Sequence, residues 1–321
     1  MMYIYQRFKL WIWLILAIAG GTGAISKSKH GQSWEVVLNG AIAAVSLIVF
    51  VYLLYKMKAA KAAQQANKGH TQLVTLFTIA GALAAAAMIP YQLEAGLLDT
   101  ITERSSLSQN AAVVLTVVQT ALITMVISII GLSLSKKVNL GAPLLNTWLR
   151  ERSRPSISVK WISIAIAGSA IGTLLTAILE VYVFQPQLPE TTVVEVSIWK
   201  TALLMFYGGI VEEVWLRLGL MTVIVWLISG AYRRRGASIP ASLYWVAILC
   251  SAILFGLAHL PATEAAFGPL TSIMVVRALV LNGVLGVFFG YLYWKKGLEY
   301  AIISHMCADL MLQVVWYNVF Q

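Results

Sequence analysis

Six side chains in the second half of this sequence could do acid–base chemistry together: Glu212, Glu213, Arg217, His259, His305 and Asp309. Glu212 and Glu213 are adjacent within the apolar run Ile198 to Ile228, and Arg217 is their charge partner in that run. A charge at bilayer depth costs about 2.5 to 3.5 kcal/mol on insertion scales, so such a pair must be held by partners or used. Glu213 and Arg217 are spaced i,i+4 with the acid on the N-terminal side, the favourable order for an ion pair. Glu212 is rotated by about 100° at ~3.6 residues per turn, so it faces another neighbour and stays available as a base. The structural alternative is a buried ion network. It is the better reading for Glu213 and Arg217, whereas nothing on its own helix pairs Glu212.

Two further apolar segments each carry an imidazole, in Phe255-Gly-Leu-Ala-His259 and His305-Met-Cys-Ala-Asp309. Taken alone, His259 reads as a polar cap at a helix end, and Asp309 as the i,i+4 partner that orients His305. Taken together, three polar clusters on three apolar segments are best explained if they satisfy one another around a hydrated cavity. Glu212 could then deprotonate a water with His259 assisting, while His305 and Asp309 bind the developing oxyanion or polarise the carbonyl. In that role Asp309 is protonated or acts through His305. A zinc site of the His2Glu kind could be assembled from Glu212, His259 and His305, although no compact His-Glu-x-x-His helix is present. Cys307 faces away from His305, which argues against a Cys–His nucleophile.

The elements that must position these groups are membrane helices. Sixty per cent of the residues are hydrophobic and only 11% charged, and the mean hydropathy is +0.81, too apolar for a soluble fold of this length. A ruler of about 20 apolar residues per span gives 8–9 transmembrane helices in an all-α polytopic bundle. The stretches are Leu10 to Ile25, Trp34 to Tyr55, Leu73 to Tyr91, Ala111 to Leu134, Trp161 to Phe184, Ile198 to Leu220 continuing to Ile228, Ile239 to Ala258, Leu270 to Trp294 and Tyr300 to Phe320. The first is read as a span and not as a signal peptide, since no small-residue cleavage site leads into a soluble domain.

The net charge of +10 comes from Lys and Arg between the apolar runs, with no basic stripe interleaved with aromatics, so nucleic acid is not an expected partner. Alternate connections hold Lys56, Lys58, Lys136, Lys137, Arg233 to Arg235, Lys295 and Lys296, against Lys27, Lys29, Arg104 and Lys200 on the other side. That asymmetry predicts a cytoplasmic N-terminus. The Pro- and Lys/Arg-containing stretch Ser135 to Lys160 marks a division into residues 1–154, of unassigned role, and a functional half over 155–321 with its motifs within 200–310.

Straight helices would leave His305 nearer the opposite bilayer half from Glu212 and His259, at ~1.5 Å per residue. Convergence therefore requires a break, expected at Gly208-Gly209 or between Pro261 and Pro269. Gly286-x-x-x-Gly290 is a small-residue pattern for close helix contact. Arg277 and Asn282 are candidates for substrate or network contacts, with a snorkelling arginine and a helix–helix amide bond as the structural readings.

The three blocks Glu212-Glu213-x-x-x-Arg217, Phe255-x-x-x-His259 and His305-x-x-x-Asp309 resemble the CAAX protease and bacteriocin-processing (CPBP, or Abi) intramembrane proteases, related to the Rce1-type prenyl-protein endopeptidases. Gly286, Gly290, Tyr291 and the approach from Gly297 to His305 add to the likeness, which covers roughly Lys200 to Leu310. The resemblance implies a helical membrane endopeptidase in which Glu212 and His259 activate water while His305 and Asp309 stabilise the oxyanion. It further implies that Arg217 ties down Glu213 and that Phe255 is a packing residue. Asp309 stands where the family often has Asn. Metal-dependent and glutamate-type mechanisms both remain open on this reading, as does a divalent metal such as zinc. The expected partners are membrane lipids and a membrane-associated peptide or protein substrate, in a bacterial plasma membrane. A non-catalytic immunity or scaffold protein, or a small-solute carrier, is the alternative.

Overall fold

In lipid every backbone N–H and C=O must be satisfied within the chain, so apolar runs of this length fold as helices. The computed structural model describes residues 68–98, 102, 108–149, 151–189 and 196–316, and among them every regular element is helical. The expected spans Leu10 to Ile25 and Trp34 to Tyr55 lie outside the described residues. By backbone contacts the chain divides into two compact units, one of residues 1–65 and 99–109, the other of residues 66–98 and 110–321. Apart from Gln109 at the start of α2, the elements below belong to the second.

They are α1 (Lys68–Glu94), α2 (Gln109–Ser135), α3 (Pro143–Leu149), α4 (Val159–Leu179), a broken segment over 198–228, α5 (Ala241–Ala258), α6 (Leu260–Phe267), α7 (Ser272–Lys296) and α8 (Leu298–Leu310). Six stretches among the described residues are long and apolar enough to cross a membrane: Gly69–Glu94, Gln109–Val138, Val159–Gln187, Ala241–Phe267, Ser272–Lys296 and Leu298–Trp316. Each overlaps a span expected from sequence. Large apolar side chains such as Leu83, Val114, Ile171 and Ile253 remain exposed, as lipid-facing residues do. The protein is an integral membrane helix bundle.

The expected span from Ile198 is not a regular helix. It runs as Ile198–Ala202, Leu204–Phe206, a π-helical turn Tyr207–Glu212, a second π-helical stretch Val214–Met221 and then Thr222–Ile228. Such π-turns recur at functional sites, where a wider backbone re-aims side chains. At Gly208-Gly209 the backbone stays helical but widens into a π-turn, and α5 ends at Ala258, ahead of the stretch from Pro261 to Pro269 where a break was expected.

Small residues let the helices close around the broken segment. A Cβ on Gly131 of α2 would overlap the carbonyl of Leu218, one on Gly219 would run into Ile127, and one on Gly81 of α1 would lie 2.9 Å from Thr124 Oγ1. Trp215 Nε1 donates to Thr124 Oγ1 at 2.9 Å. Gly286 and Gly290 of α7 meet Ala252, Phe255 and Ile248 of α5 at 3.1–3.3 Å from where a Cβ would stand, which is the close contact their spacing predicts.

The register of α8 is fixed at both of its faces. Leu298 N donates to Gly141 O at 2.9 Å, Glu299 Oε1 accepts from Leu145 N at 2.8 Å, and Tyr300 OH accepts from Ser158 N at 2.9 Å. Deeper in the bundle Ser169 Oγ of α4 reaches Ser304 O at 2.6 Å and Ser304 Oγ at 2.7 Å. Ser304 immediately precedes His305, so these bonds set the depth and rotation of the imidazole.

Candidate active site

The two π-turns deliver both glutamates to one imidazole. His305 Nδ1 lies 2.8 Å from Glu213 Oε1, and His305 Nε2 lies 3.7 Å from both Glu212 Oε2 and Asp309 Oδ1. The observed backbone lets the two carboxylates flank the ring from opposite nitrogens.

This corrects the partner expected for His305. Asp309, one turn along the same helix, stands beyond hydrogen-bond distance of Nε2, and Glu213 fixes the ring through Nδ1. Glu213 is also the ion-pair partner foreseen for Arg217, with Nη2 to Oε1 at 3.3 Å and both side chains 0% exposed. One carboxylate oxygen thus faces both a guanidinium and an imidazole. Glu212 and Asp309 keep 23% and 18% of their side-chain surface open. The acid on Nδ1 is sealed, whereas the two beside Nε2 stay partly exposed.

Aromatic rings seal the inner face. Phe289 stacks on His305 at 4.4 Å between centroids, and Phe255 meets it edge-on at 5.8 Å. Arg217 lies over the same two rings, 5.4 Å from Phe255 and 5.6 Å from Phe289, close enough for cation–π attraction in a dry setting. Phe255 is therefore more than helix packing. Phe289 escaped notice in the sequence, where its only signal was its place between Gly286 and Gly290.

Glycine makes the opposite wall. A Cβ on Gly208 would collide with Asp309 Oδ2 and sit 3.0 Å from His305 Nε2, and one on Gly209 would collide with Met306 Cγ. The Gly-Gly pair thus gives α8 its approach to the glutamates as well as marking the π-turn.

His259 is placed at the rim. Its Nδ1 is 2.8 Å from Phe255 O and its ring meets Phe255 edge-on at 4.7 Å. Among the described residues no hydrogen bond or ion pair joins it to Glu212, His305 or Asp309; the two imidazoles flank one phenyl ring. No group of three or more His, Cys, Asp and Glu side chains among the described residues is arranged to hold a metal ion.

Two other expectations resolve as structure. Arg277 binds Glu180 through Nε and Nη2 at 2.7 and 2.8 Å, joining α7 to the end of α4, and it lies 5.3 Å over Phe267. Asn282 Nδ2 donates to Ala278 O on its own helix at 2.9 Å.

Buried acid–imidazole–acid clusters between the helices of a polytopic protein define a class, the membrane proteins with an ionisable site in their interior. Within that class, residues 194–311 match the family model described as type II CAAX prenyl endopeptidase Rce1-like, which spans all three motif blocks. The match bears out the resemblance read from those blocks and supports a protease of the CAAX type in general. No curated protein and no solved structure matches the chain.

Proposed function

We propose that this protein is an intramembrane endopeptidase of the CAAX type, hydrolysing a peptide bond of a membrane-associated protein or peptide by a glutamate-activated water. One observation carries the reading: Glu212 and Asp309 converge on His305 Nε2 at 3.7 Å while Glu213 holds Nδ1 at 2.8 Å, all between helices that cross the membrane.

The chemistry follows from who holds which nitrogen. With Nδ1–H donated to buried Glu213, a protonated His305 presents Nε2–H to the space shared with Glu212 and Asp309. Glu212, partly open, is the base that takes a proton from water as it attacks the carbonyl carbon. The negative charge that grows on the carbonyl oxygen is met by Nε2–H, with a protonated Asp309 as second donor. The proton held by Glu212 then passes to the leaving amine. His259 at the rim binds or orients the entering peptide and water. Arg217 lies 3.3 Å from the same Glu213 oxygen that holds Nδ1, and so fixes that carboxylate in place. Every step in this route is carried by side chains of the chain itself.

The substrate class we propose is a peptide brought to the site by its own membrane anchor, prenylated CAAX-like termini included, in a bacterial plasma membrane with the N-terminus in the cytoplasm. The test uses the purified protein in liposomes with a membrane-anchored fluorogenic peptide. Cleavage that persists in the presence of a chelator and is abolished in Glu212→Gln with an unchanged thermal midpoint is expected. An active Glu212→Gln variant would overturn the assignment, and loss of cleavage to the chelator with recovery on added zinc would replace the metal-free route.

A further inference from the structure

Away from the acid–imidazole cluster, where several membrane helices end together, the fold leaves an open recess of about 360 Å³. The span Gly69–Glu94 begins there, Gln109–Val138 and Ser272–Lys296 end there, and Leu298–Trp316 starts from its edge. Helix ends mark the plane where hydrocarbon gives way to headgroups and water, so this cavity lies at headgroup depth.

Its lining is cationic and polar. Lys136, Lys295 and Lys296 contribute positive charge, His70, Asn139 and Ser135 add polar groups, and no lining residue is acidic. The neighbouring acid, Glu299, turns its Oε1 to the backbone of Leu145. Among the described residues no carboxylate pairs with Lys136, Lys295 or Lys296. The ammonium of Lys295 lies 3.4 Å over Trp294 and that of Lys296 4.9 Å over Trp161. An aromatic face holds a lysine in position without neutralising it. The turn behind them is rigidly shaped, with Asn139 at φ 54°, Gly141 at φ 136° and Gly297 at φ 103°, and is tied by the bond from Leu298 N to Gly141 O at 2.9 Å.

A preformed recess with uncompensated positive charge at headgroup depth is the complement of a phosphoryl anion. We infer that this cavity binds the phosphate of an acidic phospholipid headgroup, seated between the ends of α2 and α7. Basic pockets between membrane helices suit such groups because each lysine adds attraction to the anion without a carboxylate competing for it.

The experiment takes the full-length protein in neutral detergent and follows its thermal midpoint against added phosphatidylglycerol, phosphatidylcholine and inorganic phosphate. Phosphatidylglycerol is expected to raise the midpoint in a concentration-dependent way, and phosphatidylcholine to leave it unchanged. Lys136→Gln and Lys296→Gln should each weaken the apparent affinity by about fivefold, with Lys136→Arg retaining it. Neither lysine touches the Glu212–His305 cluster, and Lys136 is exposed, so the unliganded midpoint of Lys136→Gln should hold, while Lys296→Gln also loses its contact with Trp161 and is read against its own unliganded midpoint. An equal rise with inorganic phosphate alone would keep the anion site and identify a soluble phosphoryl ligand in place of the lipid. Equal stabilisation by phosphatidylcholine, or a phosphatidylglycerol effect indifferent to both glutamine variants, would overturn the inference.

Discussion

At the scale of single residues, the site separates two adjacent glutamates by burial and not by identity. Glu213 is sealed against Arg217 and His305, whereas Glu212 keeps 23% of its surface. Glu213→Gln should therefore cost about 3 to 5 kcal/mol, because it leaves Arg217 as an unpaired buried charge. Glu212→Gln should change stability by about 0.5 kcal/mol or less while lowering kcat by roughly 10² or more. Chemical denaturation read beside peptide cleavage distinguishes them, and equal stability losses would refute the division of roles. His259 offers a complementary check: His259→Ala, at the rim, should raise KM more than it lowers kcat, whereas His305→Ala should abolish kcat.

The residue types that matter were legible because charge and imidazole are conspicuous in apolar sequence. Their partners were not. Asp309 looked like the companion of His305 since they share a helical face, yet Glu213 holds the ring from another element. A spacing rule sees neighbours along one helix and is blind to contacts made across two. Likewise Arg217 was matched to Glu213 correctly, being i+4, but its place between Phe255 and Phe289 depends on α5 and α7 meeting.

At the scale of elements, the regular helices followed from hydropathy, while the broken segment was legible only as a requirement. Acids and imidazoles at unlike depths demanded a departure from a straight helix near Gly208-Gly209, but composition carries no signal for two successive π-turns. The glycine pair makes this testable. Gly208→Ala puts a methyl where Asp309 Oδ2 stands and 3.0 Å from His305 Nε2. Overpacking of this sort costs about 1 to 3 kcal/mol, and here the strain falls on Asp309 and His305, the pair proposed to bind the oxyanion. Cleavage should drop at least tenfold with a modest loss of thermal midpoint. Gly283 on α7 has no heavy atom within 4 Å of its would-be Cβ, so Gly283→Ala should leave both measurements as they are. If the two alanine variants behave alike, the close approach of Gly208 to α8 is not what shapes the site.

At the scale of the whole molecule, the helices that carry no candidate chemistry hold the ones that do. The stretch before residue 150 offered nothing catalytic to a reader of the sequence, and its long apolar runs with small residues pointed only to packing. Its α2 nonetheless meets the broken segment backbone to backbone. A Cβ on Gly131 would overlap the Leu218 carbonyl and stand 2.7 Å from Leu218 Cγ, one residue beyond Arg217. A side chain there must either push α2 outward or drag the segment that carries Glu212, Glu213 and Arg217. Backbone at this contact cannot step aside as the end of a flexible side chain can, and the Trp215–Thr124 bond at 2.9 Å ties the same two elements together. Gly131→Val should therefore lower stability by about 1 to 3 kcal/mol and reduce cleavage severalfold, although the residue touches no acid and no imidazole. Restoring room with Leu218→Ala in the same chain should recover part of the activity, because the steric term is shared between the two positions. A Gly131→Val enzyme with unaltered kcat and midpoint would mean that the glutamates are positioned by α8 alone, with α2 as a mere lipid-facing neighbour.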